Sequence, residues 1–292
     1  MLLLHGFLGS GEQWDANTAV LVAAGYRVVR PDHRGHGRST HTGDETSYTF
    51  EHLYRDALAV IDGLRLGPVH LVGHSMGGLV AEFIATRDGE RLRSAVFVDC
   101  SPLPGPGDSA RADRIRRFVG YRVGVERLVR WSSPVLRHVS VGSPPGQTAA
   151  VRKRALADLE RSVAKLDPAA FVAFGHRLAS HDDVRPFLGA IDVPTTIVVG
   201  EYEFARLREG AEALRQGVPH AAFVEIPGAG HSPQPREPHR LRRRPPHPPH
   251  HGVGSGARGD RRGASRARYR WSPDPGHGAR PATRFPGSGD RR

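Results

Sequence analysis

Residues Pro68 to Thr86 read PVHLVGHSMGGLVAEFIAT. The run Val69-His70-Leu71-Val72 is short, apolar and rich in β-branched residues, which suits a buried strand. Leu79 to Ala85 reads as a buried helix. Between them lies Gly73-His74-Ser75-Met76-Gly77-Gly78. A serine at the tip of so tight a strand-to-helix turn needs neighbours with almost no side chain. Gly73 and Gly77 stand two residues to either side of Ser75, giving the pattern G-x-S-x-G. The turn lifts the Ser75 hydroxyl clear of the sheet. It also turns the Met76 N–H and the start of the helix toward whatever that hydroxyl attacks.

Outward from this unit, strand and helix alternate. Met1–Leu4 reads as a strand, followed by the glycine-rich loop His5 to Gly11. Trp14 to Ala24 reads as a helix, with Gly25 suited to its C-terminal end. Tyr26–Arg30 is expected to be a strand, stopped by Pro31. Thr49 can cap a helix whose apolar positions, Phe50, Leu53, Ala57, Leu58, Ile61 and Leu64, follow a 3.6-residue period. Ala95–Val98 is a further strand, ending at Asp99. Strands and helices alternating at this spacing predict a parallel α/β sheet.

From Leu103 to about Asp192 the rhythm stops. Helices are expected at Arg111–Trp131, Thr148–Leu166 and Pro168–Ala179, with no strand between them. The alternation resumes with strand Thr195–Val199, a helix near Leu207–Gln216 and strand Phe223–Ile226. The chain thus divides into a core of residues 1–102 and 192–234, a helical cap or lid of residues 103–191, and a tail of residues 235–292. The tail mixes Arg, Pro, Gly and His without apolar periodicity. It is expected to be disordered, because it cannot bury enough surface to offset chain entropy.

The 292-residue chain has 42 Lys and Arg against 30 Asp and Glu, a net charge of +12. From Arg236 onward there are 15 arginines and 4 acids, so +11 of that charge lies in the tail. The body is nearly neutral, which argues against a nucleic-acid-binding fold and leaves only nonspecific attachment through the tail. Forty of the 42 basic residues are arginine, as expected of a GC-rich gene, and a shift of reading frame would account for the tail's composition. The single cysteine, Cys100, excludes an intrachain disulfide and fits a reducing compartment. No run is long enough to span a membrane, and Met1–Leu4 before His5-Gly6 shows no basic n-region, so no signal peptide is expected. A cytoplasmic location is expected.

Ser75 needs a base, and that base needs an orienting acid. Glycine-x-serine-x-glycine architectures place them in the order serine, acid, histidine. His231 lies in the tight loop Gly228-Ala229-Gly230-His231-Ser232 after the last strand. Glu201 and Glu203 follow the preceding strand, with Glu203 further into the loop. His5-Gly6-Phe7, Asp32-His33-Arg34-Gly35-His36-Gly37-Arg38-Ser39, Gly73-His74-Ser75-Met76-Gly77-Gly78 and Gly228-Ala229-Gly230-His231-Ser232 together resemble the signatures of the α/β-hydrolase superfamily, in order and spacing. The resemblance covers residues 1–234. It implies a doubly wound, mostly parallel sheet with a helical cap. It also implies Ser75 as nucleophile, His231 as base, and the backbone N–H groups of Phe7 and Met76 as an oxyanion hole. The acid position usually carries Asp, and Glu203 stands there. Asp99, after an earlier strand, is the alternative acid. The family also has strands before the His-Gly strand and a helix after the histidine, both of which this chain is expected to lack.

The resemblance implies a serine hydrolase that cleaves an ester, lactone or related small acyl substrate. No cofactor or metal is expected, and the partner is a small-molecule substrate. His33 and His36 read as residues that fix their loop, and His5 and His74 as packing or polar support. Other readings stay open. HGFLGSGEQW resembles the loop of menaquinone-pathway SHCHC synthases, C–C lyases of the same fold, although Leu79 stands where those carry an arginine. Cofactor-free haloperoxidase-like chemistry and a non-catalytic or degraded family member are further alternatives. Ser75 excludes an epoxide hydrolase or dehalogenase working through a carboxylate nucleophile.

Overall fold

The computed structural model describes residues 1–136 and 149–231. The tail and the segment before the second expected cap helix lie outside the described residues. In chain order the elements are β1 Leu2–Leu4, α1 Asp15–Ala23, α2 Phe50–Gly63, β2 Val69–His74, α3 Met76–Arg87 and β3 Leu92–Val98. Four helices follow, α4 Ala110–Phe118, α5 Val125–Leu136, α6 Ala149–Val163 and α7 Pro168–Ser180. The chain then returns to the sheet with β4 Thr195–Gly200, α8 Ala205–Gly217 and β5 Ala222–Ile226.

The five strands form one sheet in the order β1-β2-β3-β4-β5, every neighbouring pair parallel. Parallel neighbours require long crossovers, and here helices supply them. Their C-terminal ends therefore lie along one edge, where open α/β sheets bind ligands. Helix α2 begins where Thr49 Oγ1 accepts the His52 N–H at 3.1 Å. It buries Phe50, Leu53, Ala57 and Ile61, the predicted stripe. Helix α3 is buried from Met76 to Thr86, as its near-continuous apolar sequence requires.

The main core joins β1 to β4 with α2 and α3, and reaches into the helical insertion. Ala169, Ala170, Ala173 and Phe174 of α7 belong to it. The Phe174 ring lies 5.8 Å from that of Tyr48 and 6.2 Å from that of Phe50. A smaller cluster of Val125, Val129 and Val163 packs with Phe171 and with Leu8 of the loop after β1. The insertion thus rests on the edge of the sheet where the strands end.

Two expectations change. Tyr26–Arg30 is not a strand: only Val29 pairs, bridging to Leu2. Its N–H reaches the Met1 carbonyl and its carbonyl accepts from Leu3, both at 2.9 Å. β1 offers three residues to pair with, and Pro31 brings no N–H. The expected helix Arg111–Trp131 is broken into α4 and α5. Val119–Val123 forms a π-helical turn, closed by the Gly124 N–H on the Val119 carbonyl at 2.8 Å. Gly124 then leaves at φ 85°, a conformation that suits glycine.

Candidate active site

Ser75 sits at the junction of β2 and α3 with φ 52° and ψ −116°. Two close approaches force that shape. A side chain on Gly73 would overlap the Gly77 carbonyl. One on Gly77 would lie 2.5 Å from the Leu4 carbonyl oxygen and 2.6 Å from that of His5. The glycines thus let the start of α3 press against the end of β1. Ser75 N–H donates to the Val98 carbonyl at 2.9 Å, which ties the turn to β3.

The three residues singled out as nucleophile, base and acid meet here. His231 Nε2 lies 3.1 Å from Ser75 Oγ, and His231 Nδ1 lies 2.9 Å from Glu203 Oε2. The Glu203 side chain is fully enclosed, while His231 keeps 28% of its side chain exposed. Burial alone would raise the Glu203 pKa. The His231 hydrogen bond and charge, with the Phe204 N–H, outweigh it and hold the carboxyl below its ordinary value. An ionised carboxylate only accepts, so Nδ1 carries the imidazole proton and Nε2 is free to accept the Ser75 hydroxyl. Asp99 makes no hydrogen bond to His231, whose Nδ1 meets Glu203. Asp99 Oδ1 accepts the Gly200 N–H at 2.9 Å, at the base of the Glu203 loop.

The N–H groups expected to hold an oxyanion belong to Phe7, in the loop after β1, and Met76, at the first turn of α3. Among the described residues neither donates to a protein acceptor. The loop that carries Phe7 is held by a residue with no recognised motif. Gln13 Oε1 accepts the Gly6 N–H at 3.2 Å, and its Nε2 lies 2.9 Å from His74 Nδ1. His74 Nε2 in turn donates to the His231 carbonyl at 2.6 Å. Burial, then the neighbouring His231, lowers the His74 pKa to about 3, so its ring is neutral and can accept from Gln13 while donating to His231.

His5, His33 and His36 form a second, neutral group. His5 Nε2 accepts the His33 N–H at 2.9 Å, and His33 Nε2 donates to the His5 carbonyl at 3.1 Å. Burial lowers His33 and His36 to about 3 and His5 well below its ordinary value. Asp32 clamps the same loops, accepting the Gly11 N–H at 2.6 Å and the Arg38 N–H at 2.8 Å. These residues brace the loop that leads to Phe7.

An elbow serine at a sheet's C-terminal edge, backed by a histidine and a buried acid, defines a class, and the comparisons with known proteins agree. The alpha/beta hydrolase fold model matches residues 1–238, and the chain belongs to that family. A non-heme haloperoxidase of Rhodococcus erythropolis is 30% identical over 238 residues, covering 78% of this chain and 83% of the relative. A thermophilic esterase of Thermogutta terrifontis superimposes with a TM-score of 0.64 at 29% identity, covering 80% and 82% of the two chains. An enol-lactonase of Burkholderia xenovorans LB400 gives 0.66 at 23% identity, covering 79% and 84%, a likeness of fold. Among the described residues no helix is long and apolar enough to cross a membrane.

Proposed function

We propose that this protein is a serine hydrolase that cleaves an ester, lactone or related small acyl substrate. The observation that carries the reading is the unbroken relay from Ser75 Oγ through the His231 ring to Glu203, at 3.1 and 2.9 Å. Ser75 attacks the carbonyl carbon as His231 Nε2 takes its proton. Glu203 holds the imidazolium in place. The N–H groups of Phe7 and Met76 donate to the developing oxyanion, and among the described residues neither has a protein acceptor to give up. His231 then protonates the leaving group. Water, deprotonated by the same ring, releases the acid and restores Ser75. The helical insertion supplies one wall of the substrate site, since Phe171 of α7 stacks on Phe7 with ring centres 5.9 Å apart.

The test pairs a panel of p-nitrophenyl esters of graded chain length with fluorophosphonate labelling mapped by mass spectrometry. Wild type is expected to hydrolyse the short esters and take the label at Ser75. Ser75→Ala is expected to lose both. Label on another serine would overturn the reading. The haloperoxidase relative favours a second reading, peroxide-dependent halogenation on the same residues, so bromination is assayed beside ester cleavage.

A further inference from the structure

Behind the proposed acid stands a second carboxyl. Asp99, at the end of β3, is 1% exposed and has φ 45°, one of four non-glycine residues with positive φ among those described. Ser75 is another of the four. Strain of this kind persists where the surroundings over-determine a conformation. Asp99 N–H donates to the Val198 carbonyl at 3.0 Å and its Oδ1 accepts the Gly200 N–H at 2.9 Å, so its backbone and one oxygen are fixed. The other oxygen, Oδ2, is buried with no donor among the described residues. The Asp99 carboxyl interacts with that of Glu203, which is itself enclosed. Two carboxyls in contact in a dry site cannot both ionise without a large penalty, and a proton between them removes it. Glu203 is the member that faces His231, so the negative charge belongs there.

We propose that Asp99 is a positioning residue that works through Glu203: as a neutral carboxylic acid it donates a hydrogen bond to the Glu203 carboxylate and holds it against His231. The proposal rests on the reading of Glu203 as the acid that orients His231. Glu203 then has every oxygen role filled, with Phe204 N–H at 2.6 Å on Oε1 and His231 at 2.9 Å on Oε2. The titratable groups around Asp99 are Glu203, His231 beyond it, and Cys100 beside it, which lies against Glu82 of α3. Burial, reinforced by the Glu203 charge, pushes the Asp99 pKa up to about 8.

The experiment compares Asp99→Asn, Asp99→Leu and Glu203→Gln, using p-nitrophenyl acetate and thermal melting from pH 5 to pH 9. Asn keeps a donor of the same size, and its kcat is expected to stay within about threefold of wild type. Leu removes the donor and is expected to lower kcat on the order of tenfold at unchanged KM. In the folded wild type Asp99 keeps a proton that the unfolded chain releases near pH 4, so wild-type stability drains as pH rises toward 8. Asp99→Asn lacks that drain, and its melting temperature is expected to gain on wild type between pH 5 and pH 8. An Asp99→Asn loss as deep as that of Glu203→Gln would make Asp99 the ionised acid and overturn the proposal. So would an Asp99→Leu enzyme with wild-type kcat, or a melting difference flat with pH. The melting arm needs no substrate, so it decides the shared proton even if no ester is cleaved.

Discussion

Ser75 holds a conformation that costs a serine roughly 1–3 kcal/mol. The proposed chemistry uses that cost, because it keeps the hydroxyl clear of the sheet and under His231 Nε2. Removing the hydroxyl and removing the strain are separable. Ser75→Gly and Ser75→Ala are both expected to abolish activity, but glycine accepts φ 52° freely. Ser75→Gly is therefore expected to be more stable than Ser75→Ala by about 1 kcal/mol in urea denaturation. Equal stabilities would mean that the turn is not strained.

Gln13 yields a second test at this scale. It ties Gly6 to His74, which holds the loop of His231. Gln13→Leu leaves the Gly6 N–H and His74 Nδ1 unpaired and frees the loop that carries Phe7. We expect kcat to fall on the order of tenfold with little change in KM, less than loss of an oxyanion donor outright. A change confined to KM would place Gln13 in substrate binding instead. The meeting of Ser75 and His231 was legible in the sequence because the turn, the glycine loop and the chain order each constrain them, whereas the sequence leaves the acid open between Glu203 and Asp99. Gln13 was not legible. It reaches His74 across 61 residues, and an isolated glutamine on a helical turn carries no pattern.

Among the elements, α3 contains the least expected side chain. Glu82 is fully buried, its carboxyl against the Cys100 thiol and with no N–H or O–H donor among the described residues. Burial raises its pKa to about 8. That is well above the ordinary carboxylate value, so the folded protein holds a proton that the unfolded chain gives up above pH 4–5. Its contribution to stability falls as pH rises through that window to about 8. Glu82→Gln removes the titration. Its stability relative to wild type is expected to rise from pH 5 to pH 8 by up to about 1.4 kcal/mol per pH unit, read by denaturation at each pH. A pH-independent difference would mean that Glu82 is charged in the fold.

Elements with strong periodicity, such as α2, lay where the sequence put them. The misses share a cause, which is tertiary context. Tyr26–Arg30 is rich in β-formers, but a strand exists only as a pairing, and against the three residues of β1 only Val29 pairs. The apolar spacing of Arg111–Trp131 continues through Val119–Val123. The π turn is a matter of hydrogen-bond register that side-chain period does not encode.

At the scale of the whole molecule, the sequence divides its charge between a nearly neutral body and a basic tail. The insertion was legible as a break in rhythm. Its seat was not: α7 reads as one more amphipathic helix, yet its Phe174 completes the main core. Contacts between segments so distant in sequence come from shape complementarity, which a pattern of apolar residues under-determines.

The entirely parallel sheet also sets an order of assembly. Leu2 pairs with Leu71, and Ala95 with Thr195, so no neighbouring strands close through a short hairpin. Ser75 and His231 are 156 residues apart. Closing such distances is slow. After dilution from denaturant, α3 and its neighbours can form before β4 and β5 dock, and fluorophosphonate reactivity is expected to return later than helical circular dichroism. Simultaneous recovery would mean that the fold forms in a single step. During synthesis the same order holds: a ribosome stalled anywhere between the codons for Ser75 and His231 carries a nascent chain with the serine of the elbow and none of its base.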